Sequence, residues 1–508
     1  MPPTLSSTPP DPPPLTPPPG ATAARASASA PAPLPAPQEL ARLLPPGFVL
    51  GVATAAFQVE GGTHDGGRGP SGWDDFSQQD GRILNADTAD VACDHYHRVD
   101  EDIALMRDLG VDSYRFSLSW PRIQPDGSGP VNQAGLDFYD RLVDCLLAAG
   151  ISPMVTLYHW DTPLPLERAG GWLERGTAER FGEFAGLAGS ALGDRVDRWV
   201  TVNEPASVTL NGYGLGVHAP GKSLLFGALA AAHHQLLAHG LAVRALRSAG
   251  IRGSVGITNV HSPVVPADPA SMEDNLFAQL FDLIQNRVFA DPVLLGRYPE
   301  VPGFLAAFFE PLLEAPAADL QVINEPLDFY GLNYYFPTRI AAGSGGGVGP
   351  DGGLPEAAGA TMAELPFRLA SWPEYPQTGF GWPVAPDHFP VVLAQLQERY
   401  GEALPPVIIT ENGASFPDRP AADGSVADAE RSGYIAAHLA AALGAVRPGG
   451  PAEGLDLRGY YVWSLLDNFE WAAGYSQRFG LVHVDFETLK RTPKDSYFWL
   501  RDLSRLRR

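Results

Sequence analysis

Short runs of apolar, β-branched and aromatic residues recur along this chain, separated by longer stretches whose apolar positions fall at helical spacing. Eight runs read as strands: Phe48 to Ala53, Ser113 to Leu118, Pro153 to Tyr158, Arg198 to Asn203, Ser254 to Asn259, Asp328 to Tyr334, Val407 to Glu411 and Gly459 to Ser464. Between them, Leu136, Tyr139, Leu142, Val143 and Leu146 keep one helical face apolar, and Gly150 follows where a left-handed cap belongs. Met106 and Leu109 before Gly110 repeat the device one unit earlier. Strand, helix and glycine in alternation imply right-handed parallel crossovers, and eight of them close into a single (β/α)8 barrel. An open doubly wound sheet is the alternative, but it calls for a glycine-rich phosphate turn after the first strand. Gly51 to Ala56, reading GVATAA, is not one.

A barrel gathers its strand ends on one face, so the residues there carry the argument. Gln58, Arg115, His159 with Trp160, Asn203 with Glu204, Asn259, Asn333 with Tyr335, Glu411, and Trp463 with Glu470 and Trp471 all stand at or just past a predicted C-terminal strand end. Amides and carboxylates bind hydroxyl groups, and indole faces stack on the C–H surface of a sugar ring. Glu204 and Glu411 each close an apolar strand, in Thr201-Val202-Asn203-Glu204-Pro205 and Thr410-Glu411-Asn412-Gly413. Two carboxyl groups converging on one site is what glycoside hydrolysis requires.

Three segments read as insertions: Gly61 to Asp90, Ile340 to Trp372 and Phe416 to Asp428. The middle one follows the sixth strand and is expected to shape an entrance. Residues 1–38 are Pro, Ala, Ser and Thr in low complexity and read as a disordered extension without the layout of a secretory signal, leaving 39–508 as the barrel domain.

Composition narrows the partners. With 45% hydrophobic and 18% charged residues the chain is globular, and no apolar run is long enough to span a bilayer. A net charge of -23 argues against nucleic acid or an anionic membrane and suits a neutral small molecule. Two cysteines, Cys93 and Cys145, build no disulfide framework and fit a reducing, cytoplasmic compartment. His95 and His97 lie two apart on a helical stretch and face different ways, and His233 and His234 are adjacent, so neither pair spells a metal site; no metal or cofactor is expected.

Taken together in order, the strand-end motifs resemble glycoside hydrolase family 1, the β-glucosidase family, from Pro46 to Arg508. The matching stretches are Phe57-Gln58-Val59-Glu60-Gly61, Tyr114-Arg115-Phe116-Ser117, Tyr158-His159-Trp160-Asp161, the two glutamate motifs, Gly331-Leu332-Asn333-Tyr334-Tyr335 and Trp463 through Trp471. The resemblance implies Glu204 as acid/base and Glu411 as nucleophile. It further implies Gln58, His159, Glu470 and Trp471 on the outer sugar hydroxyls, Asn203 on the 2-hydroxyl, Asn333 with Tyr335 orienting the nucleophile, and Trp463 as stacking floor. A second Asn-Glu-Pro, at Asn324-Glu325-Pro326, precedes a strand, so Glu325 is expected exposed at the opposite end.

The two environments set the roles. Glu411, beside Arg115 and Tyr335, is expected ionised; Glu204, among apolar and indole groups, is expected to hold its proton. That is a retaining β-glucosidase acting on a small β-glycoside or cello-oligosaccharide, with carboxyl groups about 5 to 5.5 Å apart. The Glu470 carboxylate would repel a 6-phosphate, disfavouring phosphoglycosides. A transglycosylase using the same carboxylates, or a binding protein that has lost catalysis, are the alternatives; oligomeric state is not legible. Gly72 and Thr162 depart from the family pattern and are expected near the entrance.

Overall fold

The computed structural model describes residues 36–343 and 365–507. Eight parallel strands close into a barrel: β1 (Val49–Ala53), β2 (Ser113–Ser117), β3 (Ser152–Tyr158), β4 (Arg198–Asn203), β5 (Ser254–Val260), β6 (Phe329–Asn333), β7 (Val407–Asn412) and β8 (Leu457–Trp463). Each lies beside its sequence neighbours, and β1 pairs with β8 to shut the ring. The eight sequence-predicted strands are all present, with ends shifted by a residue or two. Register aligns the strand ends across the ring: Ala53 stands opposite both Trp463 and Arg115, and Asn333 stands opposite Glu411.

Two apolar layers hold this arrangement. Met154, Val200, Phe329, Ile408 and Tyr461 fill the barrel interior, and a larger cluster lies between strands and surrounding helices. The helix Gln133–Ala148 buries Tyr139, Leu142, Val143 and Leu146 in that outer layer. Gly150 and Gly110 take φ of 75° and 76°, the left-handed conformation that lets each chain turn from helix into strand without a Cβ clash.

The first described element is a helix, Pro37–Leu43, which includes two residues that composition assigned to the extension. Its Leu40 is fully buried, and it packs on the closing helix Asp495–Leu506. Residues 1–35 of the expected extension, and the Gly345-Gly346-Gly347 run of the middle insertion, lie outside the described residues.

Two segments that read as insertions are structural. Gly61 to Asp90 contains a helix, Gly72–Ser77, whose Trp73 and Phe76 are buried. Phe416 to Asp428 is tied down by buried ion pairs: Asp418 meets Arg431 at 2.7 Å and Lys494 at 2.5 Å, while Asp428 also pairs with Arg431. Pattern reading misses both, because glycine and charge signal loops whether or not a neighbouring element covers them. The described ends of the middle insertion form a small sheet, with Thr338–Ala342 pairing parallel to Val264–Pro266 and antiparallel to Phe367–Leu369.

Candidate active site

β4 and β7 deliver the two central carboxyl groups to the same mouth. Glu204 follows β4 with φ 47° and ψ 65°, a left-handed conformation that is strained for a side chain of this size, and Pro205 then opens the next helical turn. The departure from extended backbone turns Glu204 off the strand line. At β7, Asn412 is fixed by Tyr460 and by the Tyr334 carbonyl, and Gly413 follows because a Cβ there would collide with the Trp463 carbonyl oxygen. The Glu-Asn-Gly spelling is therefore a packing requirement around Glu411.

Glu204 and Glu411 are 5% and 3% exposed and line one cavity of about 470 Å³. Their hydrogen-bond partners differ in kind. Glu411 accepts from the Arg115 guanidinium at 2.5 Å on Oε1 and from the Tyr335 hydroxyl at 2.6 Å on Oε2. Among the described residues Glu204 accepts only from neutral donors, the Asn333 amide at 2.6 Å and the Ser207 hydroxyl at 2.7 Å. Burial, and after it the charge of Glu411, push Glu204 up to about 7; the Asn333 and Ser207 bonds and Arg115 pull the other way.

This corrects one sequence expectation. Asn333 was assigned to Glu411 with Tyr335, but its amide donates to Glu204, and its Oδ1 accepts from Thr410 at 2.7 Å. Asn333 and Glu411 are cross-strand partners in register, yet the side chain reaches the other way, toward β4. Arg115 bridges the two sides, donating to Glu411 and, at 2.6 Å, to Asn203.

The remaining predicted residues surround these carboxyls. His159 lines the cavity; its Nε2 faces the Asn203 amide at 3.1 Å. Burial, and then the Arg115 charge, hold its imidazole well below the usual range. The ring is neutral, and with Nε2 accepting from Asn203 its proton sits on Nδ1. Trp463 lies nearly parallel to His159, and Trp471 is packed between Phe57, Trp73 and Trp160. Trp160 also lines the cavity, its indole donating to the Asn203 carbonyl at 2.9 Å.

Gln58 is fully buried beside Glu470. Its amide nitrogen donates to Asn468 at 3.0 Å and to the Phe469 carbonyl at 2.9 Å, while its Oε1 has no partner among the described residues. A buried acceptor left open is what a ligand hydroxyl would satisfy. Glu470 also lines the cavity, and burial, followed by the charges of Glu411 and Glu204, pushes it up to about 8. Glu470 is thus mostly protonated at neutral pH, and the repulsion of a phosphate by its charge is weaker than the sequence argument held. What disfavours a phosphate more strongly is that no Lys or Arg lines the cavity among the described residues.

Several residues fall elsewhere. Asn259, one of the strand-end amides, donates to the Tyr330 hydroxyl and the Phe289 carbonyl; its Oδ1 has no partner among the described residues, and it does not line the cavity. Glu325 is half-buried rather than exposed, paired with Arg244 at 2.6 Å ahead of β6, at the opposite end from Glu204. Gly72 and Thr162 are buried and touch one another, the Gly72 amide donating to the Thr162 carbonyl at 2.8 Å, and neither lines the cavity. Their two departures form one packing contact. His95 is bonded to Asp102, and His233 to Tyr298 and Asp319. Among the described residues, no group of three or more His, Cys, Asp or Glu side chains is arranged to hold a metal ion, and no helix is long and apolar enough to cross a membrane.

Sequence reading missed Ser207 and Thr410. Ser207 lies three residues after Glu204, the spacing at which a helical turn brings a side chain back, and that spacing was the available signal.

The family model described as "Glycosyl hydrolase family 1" matches residues 40–508. The chain is 47% identical over 466 residues to thermostable β-glucosidase B of Thermobispora bispora, covering 91% of this chain and 90% of the relative. It is 42% identical over 461 residues to β-glucosidase A of Acetivibrio thermocellus, covering 90% and 97%. Among solved structures, the psychrophilic β-glucosidase BglU from Micrococcus antarcticus superposes with a TM-score of 0.85 at 43% identity, over 93% of this chain and 99% of that one.

Proposed function

Because the chain belongs to glycosyl hydrolase family 1, we propose that it is a retaining β-glucosidase that removes terminal non-reducing β-D-glucosyl residues, with Glu411 as nucleophile and Glu204 as acid/base. The observation that carries this reading is the division of donors between two carboxyls in one cavity. Glu411 has a guanidinium and a phenol to stabilise its charge, and Glu204, with neutral donors only, sits at about 7.

In the first step, a Glu411 oxygen bonds to the anomeric carbon as the bond to the leaving oxygen breaks. Glu204 gives its proton to that oxygen, so the aglycone departs as a neutral alcohol. In the second step, Glu204, now a carboxylate, takes a proton from water. The water oxygen bonds to the anomeric carbon, the ester to Glu411 breaks, and two inversions leave the configuration retained. Arg115 and Tyr335 stabilise the Glu411 carboxylate as it attacks and again as it is released.

The neighbours support a glucosyl fit. The Nδ1–H of His159 and the Glu470 carboxyl line the cavity and supply donors for outer hydroxyls, with Trp463 as an apolar floor; the unpartnered Oε1 of Gln58, buried beside Glu470 and outside the cavity lining, is the proposed acceptor. Galacto and fuco configurations are read by the same groups, so mixed activity is expected. Cello-oligosaccharides and aryl glucosides are the substrates proposed. The free thiols of Cys93 and Cys145 support a reducing, cytoplasmic setting.

The test is hydrolysis of nitrophenyl β-glucoside by the wild type and by Glu411→Ala, the latter with azide. Activity lost in the variant and restored as a glycosyl azide of inverted configuration is expected. A wild type inactive on every β-glycoside of a small panel would overturn the reading.

A further inference from the structure

The end of the barrel opposite Glu204 and Glu411 carries a second pocket, formed where the neighbouring strands β4 to β8 begin. Phe329 and Ile408, two of the apolar side chains that fill the barrel interior, make its floor. The charged groups around it are Arg198 on β4, Arg252 just before β5, Asp328 just before β6 and Arg458 on β8. The active-site cavity has no Lys or Arg in its lining among the described residues, so the two ends of one barrel differ in the sign of their charge.

This chain has 58 acidic residues against 35 basic ones, so an arginine here has every opportunity to find a carboxylate. In this pocket the pairing is incomplete. Neither Arg198 nor Arg252 makes a side-chain hydrogen bond or an ion pair among the described residues, and Arg198 is half-buried. Asp328 accepts from the Val255 amide at 2.8 Å, and the guanidinium it meets, at 3.9 Å, belongs to Arg247, outside the pocket lining. Arg458 is exposed and pairs at 2.7 Å with Asp456, also outside the lining. Like charges gathered around one concavity repel, and two of the three guanidiniums have no partner to offset it.

We propose that this pocket binds a small multivalent oxyanion, a phosphate group, through Arg198 and Arg252, with Arg458 completing the rim. The planar fork of a guanidinium matches two phosphate oxygens at once, and an apolar floor lowers the local dielectric and strengthens the attraction. Asp328 opposes the anion, one carboxylate against three guanidiniums. The rest of the surface sets the size of the ligand. At a net charge of -23, a nucleic acid or other long polyanion meets repulsion along its length. Charges beyond about 8 Å are screened at physiological ionic strength, so a small anion feels chiefly the arginines. Because the site exists only when five strands are in place, its ligand stabilises the folded barrel.

The experiment is isothermal titration calorimetry of the whole chain at neutral pH and constant ionic strength, with inorganic phosphate and glycerol phosphate as probes and chloride as reference. Thermal unfolding midpoints in the same solutions are the second readout. Saturable binding of inorganic phosphate at millimolar concentration or below is expected, with a midpoint raised above that in chloride. Arg198→Gln and Arg252→Gln should each weaken binding about tenfold, the loss of one charge-assisted contact. Arg180→Gln, an equal change of net charge at an exposed residue paired with Glu183, should leave it unchanged. Glycerol phosphate bound as well as phosphate assigns the site to phosphorylated metabolites, and its exclusion assigns the site to the free ion; both uphold the site. Cooperative melting shows each variant folded, and should Arg198→Gln fail to fold, Arg252→Gln, at an exposed position ahead of β5, decides alone. No saturation and no midpoint shift in the wild type overturns the proposal. So does a phosphate effect of equal size in the wild type and the variants, which is the general action of an excluded salt.

Discussion

Replacing Asn333 by Ala removes the shorter of the two neutral hydrogen bonds that hold the Glu204 carboxyl, the 2.6 Å contact to Oε1. That bond favours the ionised form, so its loss must raise the pKa of Glu204 above about 7. A hydrogen bond to a charged group is worth about 1.5 to 3 kcal/mol, and one pKa unit corresponds to about 1.4 kcal/mol, which gives roughly one to two units. Water entering the space vacated by the amide restores part of the bond, so the lower end applies. In its proposed role as acid Glu204 must carry its proton, so the basic limb of kcat/KM against pH should report its ionisation in the free enzyme. The limb is expected near 7 in the wild type and about one unit higher in Asn333→Ala. The assay is the pH profile with nitrophenyl β-glucoside from pH 5 to about 9.5. Its limb position does not depend on how much of the variant is folded. A limb that stays in place, or moves down, would refute both the assignment of Asn333 to Glu204 and the sign of its effect.

Tyr335→Phe deletes the 2.6 Å hydroxyl contact to Glu411 and should lower kcat about 10²-fold, the usual cost of one preorganised donor; kcat within twofold of wild type would remove Tyr335 from the mechanism. Glu470→Gln addresses stability. The folded state holds the Glu470 proton to about 8 against an ordinary 4.5, so wild-type stability falls as pH rises from about 4.5 to 8, and the variant escapes that fall. Unfolding free energies from urea titration should favour Glu470→Gln by about 2 to 4 kcal/mol at pH 8 relative to their difference at pH 4, and an equal difference at both pH values would show that Glu470 ionises freely. Lys494→Met leaves Asp418 and Asp467 without the buried ammonium that meets them at 2.5 and 2.7 Å, and should cost roughly 3 to 5 kcal/mol in urea unfolding; a cost under about 1 kcal/mol would mean the flanking arginines suffice.

The barrel was legible because its signals are local. Every strand carries an apolar run, and Gly110 and Gly150 mark helix ends by a conformation that few other residues adopt, so a single pass along the chain finds them. The mouth was legible as a set of residues, since a closed ring of parallel strands brings strand ends together whatever the side chains do. Which donor meets which carboxyl was not. Asn333 stands in register with Glu411 yet reaches Glu204, a choice set by the left-handed turn at Glu204 and the hydroxyl of Thr410, neither of which spacing reveals. The segment from Gly61 to Asp90 misled for the opposite reason. Its glycines and charges signal a loop, and tertiary contacts such as that between Trp73 and Trp471, ring centroids 4.6 Å apart, hold it against the barrel mouth.

The charge states at the mouth follow from an unequal distribution of donors. Three carboxyls share one cavity with no Lys or Arg in its lining among the described residues, and the Arg115 guanidinium bonds Glu411. Among the described residues, Glu204 receives two neutral donors and Glu470 only the Gln58 amide at 3.4 Å. The order of stabilisation matches the order of the shifts, about 7 for Glu204 and about 8 for Glu470. On the proposed roles, the same arrangement lets Glu204 serve as acid and then as base. After burial, the largest influence raising it is the negative charge of Glu411, and in the proposed mechanism that charge disappears when Glu411 becomes an ester of the sugar. With Arg115 still in place and its anionic neighbour neutralised, the Glu204 carboxyl becomes easier to ionise in the step that requires a base. When water releases the sugar, the charge on Glu411 returns and Glu204 holds its proton again. The switch needs no movement of either side chain, because the reaction itself changes the field in which Glu204 titrates.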